Sequence, residues 1–271
     1  MKTLINILPS PEINYSTCDL LLIAGERYFS FGILDHISRE LSGFKLCTFE
    51  QKEELELLFQ DEELLRQRYN QVLIAYDTYE SVFIPTEVYN KDELAVHLDV
   101  LYGKNVDHSI VSESLPALDI YNVYRVSSGL QKTIQSKFTN NYNWQFYSVL
   151  LKNAGSAKKD TINVEFKTDE FTVLVQKSGK MILAQTFNYS APNDVLYYFL
   201  KISQQLNLSQ QETEVLVSGL IEKDSALYRE LYKYFINIEF DSIYGQVKLG
   251  EELKTNPEHY YSSISKLAAC V

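Results

Sequence analysis

Cysteine, basic charge and long apolar runs are all scarce in this 271-residue chain, and each scarcity excludes a class of protein. The three cysteines, Cys18, Cys47 and Cys270, form no CxxC pair, which leaves a zinc ribbon or a redox dithiol without support. Their odd number also argues against a disulfide framework, and idle thiols in a reducing compartment are the expectation. Lys and Arg number 25 against 36 Asp and Glu, a formal net charge of -11. That sign opposes both the nucleic-acid backbone and anionic membrane surfaces, so nucleic acid is not an expected partner. The apolar stretch that opens the chain is broken by Pro9 and Pro11, and no run of 18 apolar residues follows. Neither a signal segment nor membrane insertion is expected, and a cytoplasmic location is.

Several catalytic signatures are missing as well. The histidines His36, His97, His108 and His259 stand apart with no HExxH, which predicts packing or surface roles because a metal needs several converging ligands. There is no G-x-S-x-G elbow and no GxxxxGK[ST] loop. The acidic run EQKEELELLFQDEELLRQRY reads as a solvated helix with Leu55, Leu58, Leu65 and Tyr69 turned inward.

What the chain does contain is a long pattern used twice. LLLIAGERYFSFGILD, FKLCTFE, a charged helical stretch and VLIAYD are followed later by INVEFKTDEFTVLVQK, KMILAQTF, the stretch NDVLYYFLKISQQL and EVLVSG. Placing Tyr28 on Phe171 and Val72 on Val215 requires one shift, 143 positions. Each half reads strand, strand, strand, helix, strand, helix, strand. Ser178-Gly179 predicts a two-residue hairpin link, with Gly free to take positive φ. Val173 and Val175 lie in a run apolar on both sides, which predicts a central strand covered on two faces. Asn193 or Asp194 is the expected cap of a helix whose Leu196, Phe199 and Leu200 face the core, which leaves Tyr198 pointing outward as a candidate contact residue. Leu227, Leu231 and Tyr234 predict a further helix, then Ile236, Ile238 and Phe240 a strand. Asn256-Pro257-Glu258 opens a final helix carrying Tyr261, Ile264 and Leu267 on one face. Residues 104–118 read as a strand and a loop. The small, polar stretch KNAGSAKKD places a boundary near Ser156, which gives an N-terminal lobe over 1–156 and a C-terminal lobe with a closing helix over 157–271.

A β-β-β-α-β-α-β unit used twice resembles the actin-like ATPase (ribonuclease H-like) superfamily, which includes actin, sugar kinases, DnaK-type chaperones and actin-like pilus-assembly proteins. The run from Phe187 to Tyr198, with VLVSGLIEKDSALYRELYKYF after it, is similar to an uncharacterised bacterial family of about this length given that fold. The resemblance implies an α/β protein of two lobes, each a mixed five-stranded sheet flanked by helices. It also implies where nucleotide chemistry would sit. In the superfamily an Asp holds Mg²⁺ through water and glycines let backbone N–H groups approach phosphate. Glu165 falls on that acid, and Lys167, Thr168 and Asp169 fall on the three glycines. In the first lobe Gly25 remains, but Leu22 and Ile23 occupy the place of the acid. Of the adenosine-binding glycines only Gly219 remains, with the β-branched Ile221 beyond it. Asp169 and Glu170 would bring negative charge toward a polyphosphate, at a cost of about 4 kcal/mol per pair at ~4 Å and an effective dielectric near 20. The expectation is a non-catalytic binding or scaffold module without a cofactor, acting through a protein partner or as a homodimer. The alternative is a divergent ATPase that uses Glu165 with ATP and magnesium.

Overall fold

The computed structural model describes residues 1–154 and 159–270, so the boundary expected near Ser156 lies outside the described residues. The chain forms two compact units. The first comprises Met1–Lys152, Gln246–Thr255 and Leu267–Val271, the second Asn153–Gly245 and Asn256–Lys266. The stretches at 246–255 and 267–271 thus return to the first unit, where the sequence assigned everything after residue 156 to the second.

In the first unit the strands are β1 (Lys2–Ile7), β2 (Cys18–Gly25), β3 (Tyr28–Asp35), β4 (Glu40–Thr48), β5 (Gln71–Asp77), β6 (Ser81–Pro85), β7 (His108–Leu115), β8 (Ile120–Ser127) and β9 (Asn141–Gln145). The helices are α1 (Lys52–Asp61), α2 (Leu94–Tyr102), α3 (Ser128–Lys137) and α4 (Phe146–Lys152). The main sheet runs β1-β4-β3-β2-β5-β9, and the short strand Lys248–Leu249 also pairs with β4. Of the five strands from β4 to β9, β2 to β5 are the segments read from the sequence, and β9 supplies the fifth strand of the expected unit, which the sequence reading had not located. β1 and Lys248–Leu249 share the outer side of β4, meeting Phe44–Thr48 and Glu40–Leu41 respectively, and bring the sheet to seven. β2 pairs parallel with β5, and every one of its eight residues is buried. A parallel strand needs cover on both faces, which is why CDLLLIAG is a nearly unbroken apolar run. A separate antiparallel sheet, β6-β8-β7, is inserted between β5 and β9.

The second unit contains β10 (Thr161–Phe166), β11 (Glu170–Lys177), β12 (Lys180–Asn188), α5 (Pro192–Leu206), β13 (Glu214–Gly219), α6 (Ala226–Tyr232), β14 (Ile238–Phe240) and the start of α7 (Ser262–Ala268). Its five-stranded sheet has the order β12-β11-β10-β13-β14. β10, β13 and β14 are parallel, while β11 and β12 are antiparallel to their neighbours. This is the order and sense of β4-β3-β2-β5-β9. Strand partners fix the comparison more closely. Leu22 faces Phe31 and Val164 faces Val173, so the hairpins coincide at a shift of 142. Leu20 faces Val72 and Ile162 faces Val215, so the next parallel strands coincide at 143. The uniform shift read from the sequence is therefore one residue too long over the hairpin, and Tyr28 corresponds to Glu170.

Local chemistry accounts for these elements, with three departures from the sequence reading. Ser178 and Gly179 both have positive φ, 51° and 76°, the pairing of a type I′ turn. α5 starts with Pro192 at its first position, and it is Asp194 in the first turn that reaches back, accepting the N–H groups of Ser190 at 2.9 Å and Ala191 at 3.0 Å. Its buried stripe is Val195, Phe199 and Ile202, with Leu196 and Leu200 half-buried beside it. That phase turns Tyr198 inward, where its ring packs 4.4 Å from Phe187 and 6.0 Å from Phe171. Tyr197 is the exposed one, at 56%. Likewise Leu231 and Phe235 are buried, whereas Tyr234 and Ile236 face solvent. Tyr261, Ile264 and Leu267 are all buried, as their spacing predicts.

Because Ser178 holds a left-handed conformation, replacing it with a residue that tolerates that region is expected to help. Ser178→Asn, giving the Asn-Gly pair favoured by this turn, is expected to stabilise the protein by about 0.5 kcal/mol, read from urea unfolding.

Candidate functional site

Three parallel strands of the second unit end side by side, and at their carboxyl ends lie Glu165 and Phe166 of β10, Ser218 and Gly219 of β13, and Asp241 just after β14. In open α/β sheets this edge, where neighbouring connections leave in different directions, is where ligands bind.

Glu165 is buried and accepts a short hydrogen bond from the Ser218 hydroxyl, which also lies 3.1 Å from the Val164 carbonyl. Burial pushes its carboxyl above the ordinary carboxylate range, against the opposing pulls of Ser218 and the Lys266 ammonium. Lys266 itself is ion-paired with Asp241, whose carboxylate also accepts from the Ser262 hydroxyl at 2.8 Å. The His259 ring bonds the Ile221 carbonyl at 2.7 Å, and burial holds its pKa below the usual imidazole value. With a carbonyl as partner, Nε2 is the donor.

The turn that follows β10 is closed by its own residues. The Lys167 N–H donates to the Glu170 carbonyl at 2.9 Å, and Tyr189 donates its hydroxyl to the Lys167 carbonyl at 2.7 Å and its N–H to the Asp169 carbonyl at 2.9 Å. The Thr168 hydroxyl leans on the Asp169 carboxylate at 3.3 Å. The Lys167 side chain is only 2% exposed, and its ammonium lies 2.6 Å from the Glu170 carboxylate. The charge that Glu170 was expected to add is thus countered within the turn.

Gly219 has φ of +75°, and a Cβ placed there would sit 2.1 Å from the Phe166 carbonyl oxygen. That oxygen accepts the Leu220 N–H at 2.8 Å, so the strands cannot part to make room. The glycine is a requirement of β10–β13 packing. Gly25 is more mildly constrained in the first unit, where a Cβ would lie 3.0 Å from the Asp77 carbonyl. It borders a cavity of about 180 Å³ lined by Glu26, Glu53, Leu55, Ser127 and Leu130 among others. Leu22 and Ile23 are buried in β2. Among the described residues no cluster of three or more His, Cys, Asp or Glu side chains could hold a metal ion.

Of the residues singled out by sequence, Glu165, Thr168, Asp169 and Gly219 gather at one end of the second unit, while Gly25 belongs to the first. Sequence reasoning passed over Ser218, Asp241, Ser262 and Lys266. One signal was available for the last two: SSISK places serines and a lysine on a helix that is buried on every side.

This strand order and its recurrence define an actin-like ATPase fold, and two solved structures share it. One is a Bacteroides thetaiotaomicron protein with actin-like ATPase fold and unknown function, matching at TM-score 0.76 and 16% identity over 94% of this chain and 96% of that one. The other is the PilM–PilN type IV pilus biogenesis complex, at TM-score 0.61 and 9% identity over 94% of this chain and 98% of that one. No curated protein matches by sequence. Residues 11–238 match the family described as Protein of unknown function (DUF3822), and the chain belongs to it.

Two substitutions test the site's physics. Gly219→Ala forces a Cβ into the Phe166 carbonyl and is expected to cost about 3 kcal/mol or more, read from the urea midpoint. Glu165 has a folded pKa above its unfolded one, so its contribution is greatest below the unfolded pKa and is lost as pH rises through the window up to the folded value. Glu165→Gln is expected to flatten the fall in stability as pH rises from the ordinary glutamate range toward neutrality and above, measured by denaturant midpoints at successive pH values.

Proposed function

We propose that this chain is a non-catalytic binding or scaffold module, built on a duplicated actin-like unit, that has given up phosphate binding and acts through protein contacts in a reducing, cytoplasmic setting. The observation that carries the reading is Lys167. A buried lysine, already ion-paired with Glu170, stands where close approach of a phosphate would need bare backbone. Around it, Glu165 is committed to Ser218, and Gly219 is explained by strand packing. The PilM–PilN complex adds support from outside the chain, because there a protein of this fold is part of a biogenesis complex. No helix among the described residues is long and apolar enough to cross a membrane.

The alternative, a divergent ATPase, draws on the same end of the sheet, where Glu165 keeps an acid in place and Gly219 keeps a glycine. Isothermal titration with Mg-ATP separates the two. No saturable heat is expected. Micromolar affinity that depends on the metal, and that is lost in Glu165→Gln, would overturn the proposal in favour of the ATPase.

A further inference from the structure

α2 is apolar on nearly every side, LAVHLDVLY, whereas a surface helix ordinarily pairs one apolar stripe with a polar face. Its inner side is accounted for by Leu94 and Leu98, buried against Ile84 and Val123 of the small inserted sheet. A buried arginine fixes its far end. Arg125 pairs with Asp99, donates to the Gly103 carbonyl at 2.8 Å, and lies 2.9 Å from Glu80. The helix is therefore rigidly presented, and what it presents is apolar. Val96 and Val100, one turn apart, are 58% and 78% exposed, and Leu101 is 58% exposed at the rim. Valine brings no helix propensity that would place it there, and an exposed apolar row on a short, firmly seated helix marks a contact surface.

The charges flanking the row identify what covers it. Exposed Lys91, Asp92 and Glu93 precede the helix with a net negative charge, and exposed Lys104 follows it directly, with exposed Asp107 three residues further on. A second copy laid antiparallel about Leu98 sets Val96 of each against Val100 of the other, and brings Lys104 of each toward Asp92 and Glu93 of the other. A parallel copy would set acid on acid. An anionic membrane is opposed by the chain's net charge of -11. We propose that α2 is a self-complementary interface through which two copies of this chain pair antiparallel about a two-fold axis. Three apolar side chains per copy form a small seam, so the dimer is a reversible one in the micromolar range.

The proposal rests on the reading of the chain as a contact-making module but is measured apart from it. Sedimentation velocity across the micromolar range is expected to show a concentration-dependent monomer–dimer equilibrium. Val100→Glu is expected to weaken it at least about tenfold with an unchanged circular dichroism spectrum, since the side chain is already exposed. Lys104→Glu is expected to weaken it as well, and Asp92→Lys with Glu93→Lys in the same chain to restore it. If Val100→Glu fails to fold, the charge series decides. A wild-type chain that stays monomeric throughout, a Val100→Glu dimer as tight as wild type, or a charge swap that restores nothing overturns the interface. Mg-ATP titration of the monomeric variant reports on the proposed function alone, so the two readings can fail separately.

Discussion

The parallel contact between β10 and β13 governs the second unit. At its end the Phe166 carbonyl takes the Leu220 N–H and presses on Gly219, so the two strands meet with no space between backbones. From this follows the rest of the local arrangement. Two parallel strands side by side require a crossover, which α5 supplies, and cover on both faces, which is why β10 and β13 are buried along most of their length even where they carry polar residues such as Glu165 and Ser218. Polar groups brought to the strand ends must then find partners in the interior, and Ser218, Asp241, Ser262 and Lys266 provide them for one another and for Glu165. The first unit solves the same problem with β2 and β5, and there too a glycine, Gly25, sits against a carbonyl across the pair.

Interior electrostatics are resolved by two different means within a few residues. Lys167 and Lys266 are ion-paired with Glu170 and Asp241. Glu165, for which burial outweighs every opposing contact, is driven toward its neutral form. At this end of the second unit the enclosed charges are thus matched or driven toward neutrality, as burial demands.

How much of this could be read from the residues depends on the range of the interaction responsible. Hairpins and crossover helices came through because Ser178-Gly179 and the apolar spacing around Phe199 are local signals of a turn and of a helix. Glu165, Asp169 and Gly219 were singled out by the resemblance to the actin-like superfamily, and the β10–β13 ladder brings them to one strand end. Lys266 could not, since its pairing with Asp241 depends on where the chain returns after β14, and no periodicity encodes that. The one-residue slip between hairpin and crossing strand escaped for a related reason. Apolar runs on fully buried strands look the same at either shift, so only the ladder fixes the register. Tyr197 and Tyr198 exchanged places because Val195 enters the core where Leu196 was expected, a rotation of one residue about the helix. Among the described residues the inserted sheet β6-β8-β7 has no counterpart in the second unit, and its half-buried β7 carried only a weak alternation.

Gly219 also bears on how ancestry and activity can be separated in chains of this fold. A position fixed by one backbone pressing on another is indifferent to what the molecule binds, so the glycine is required whether or not a ligand is held there. Its presence is explained by the fold and is silent about use. Information about use resides at positions free to change without breaking the sheet, such as the solvent-facing part of the turn at Thr168 and Asp169, where drift is cheap and retention therefore means something.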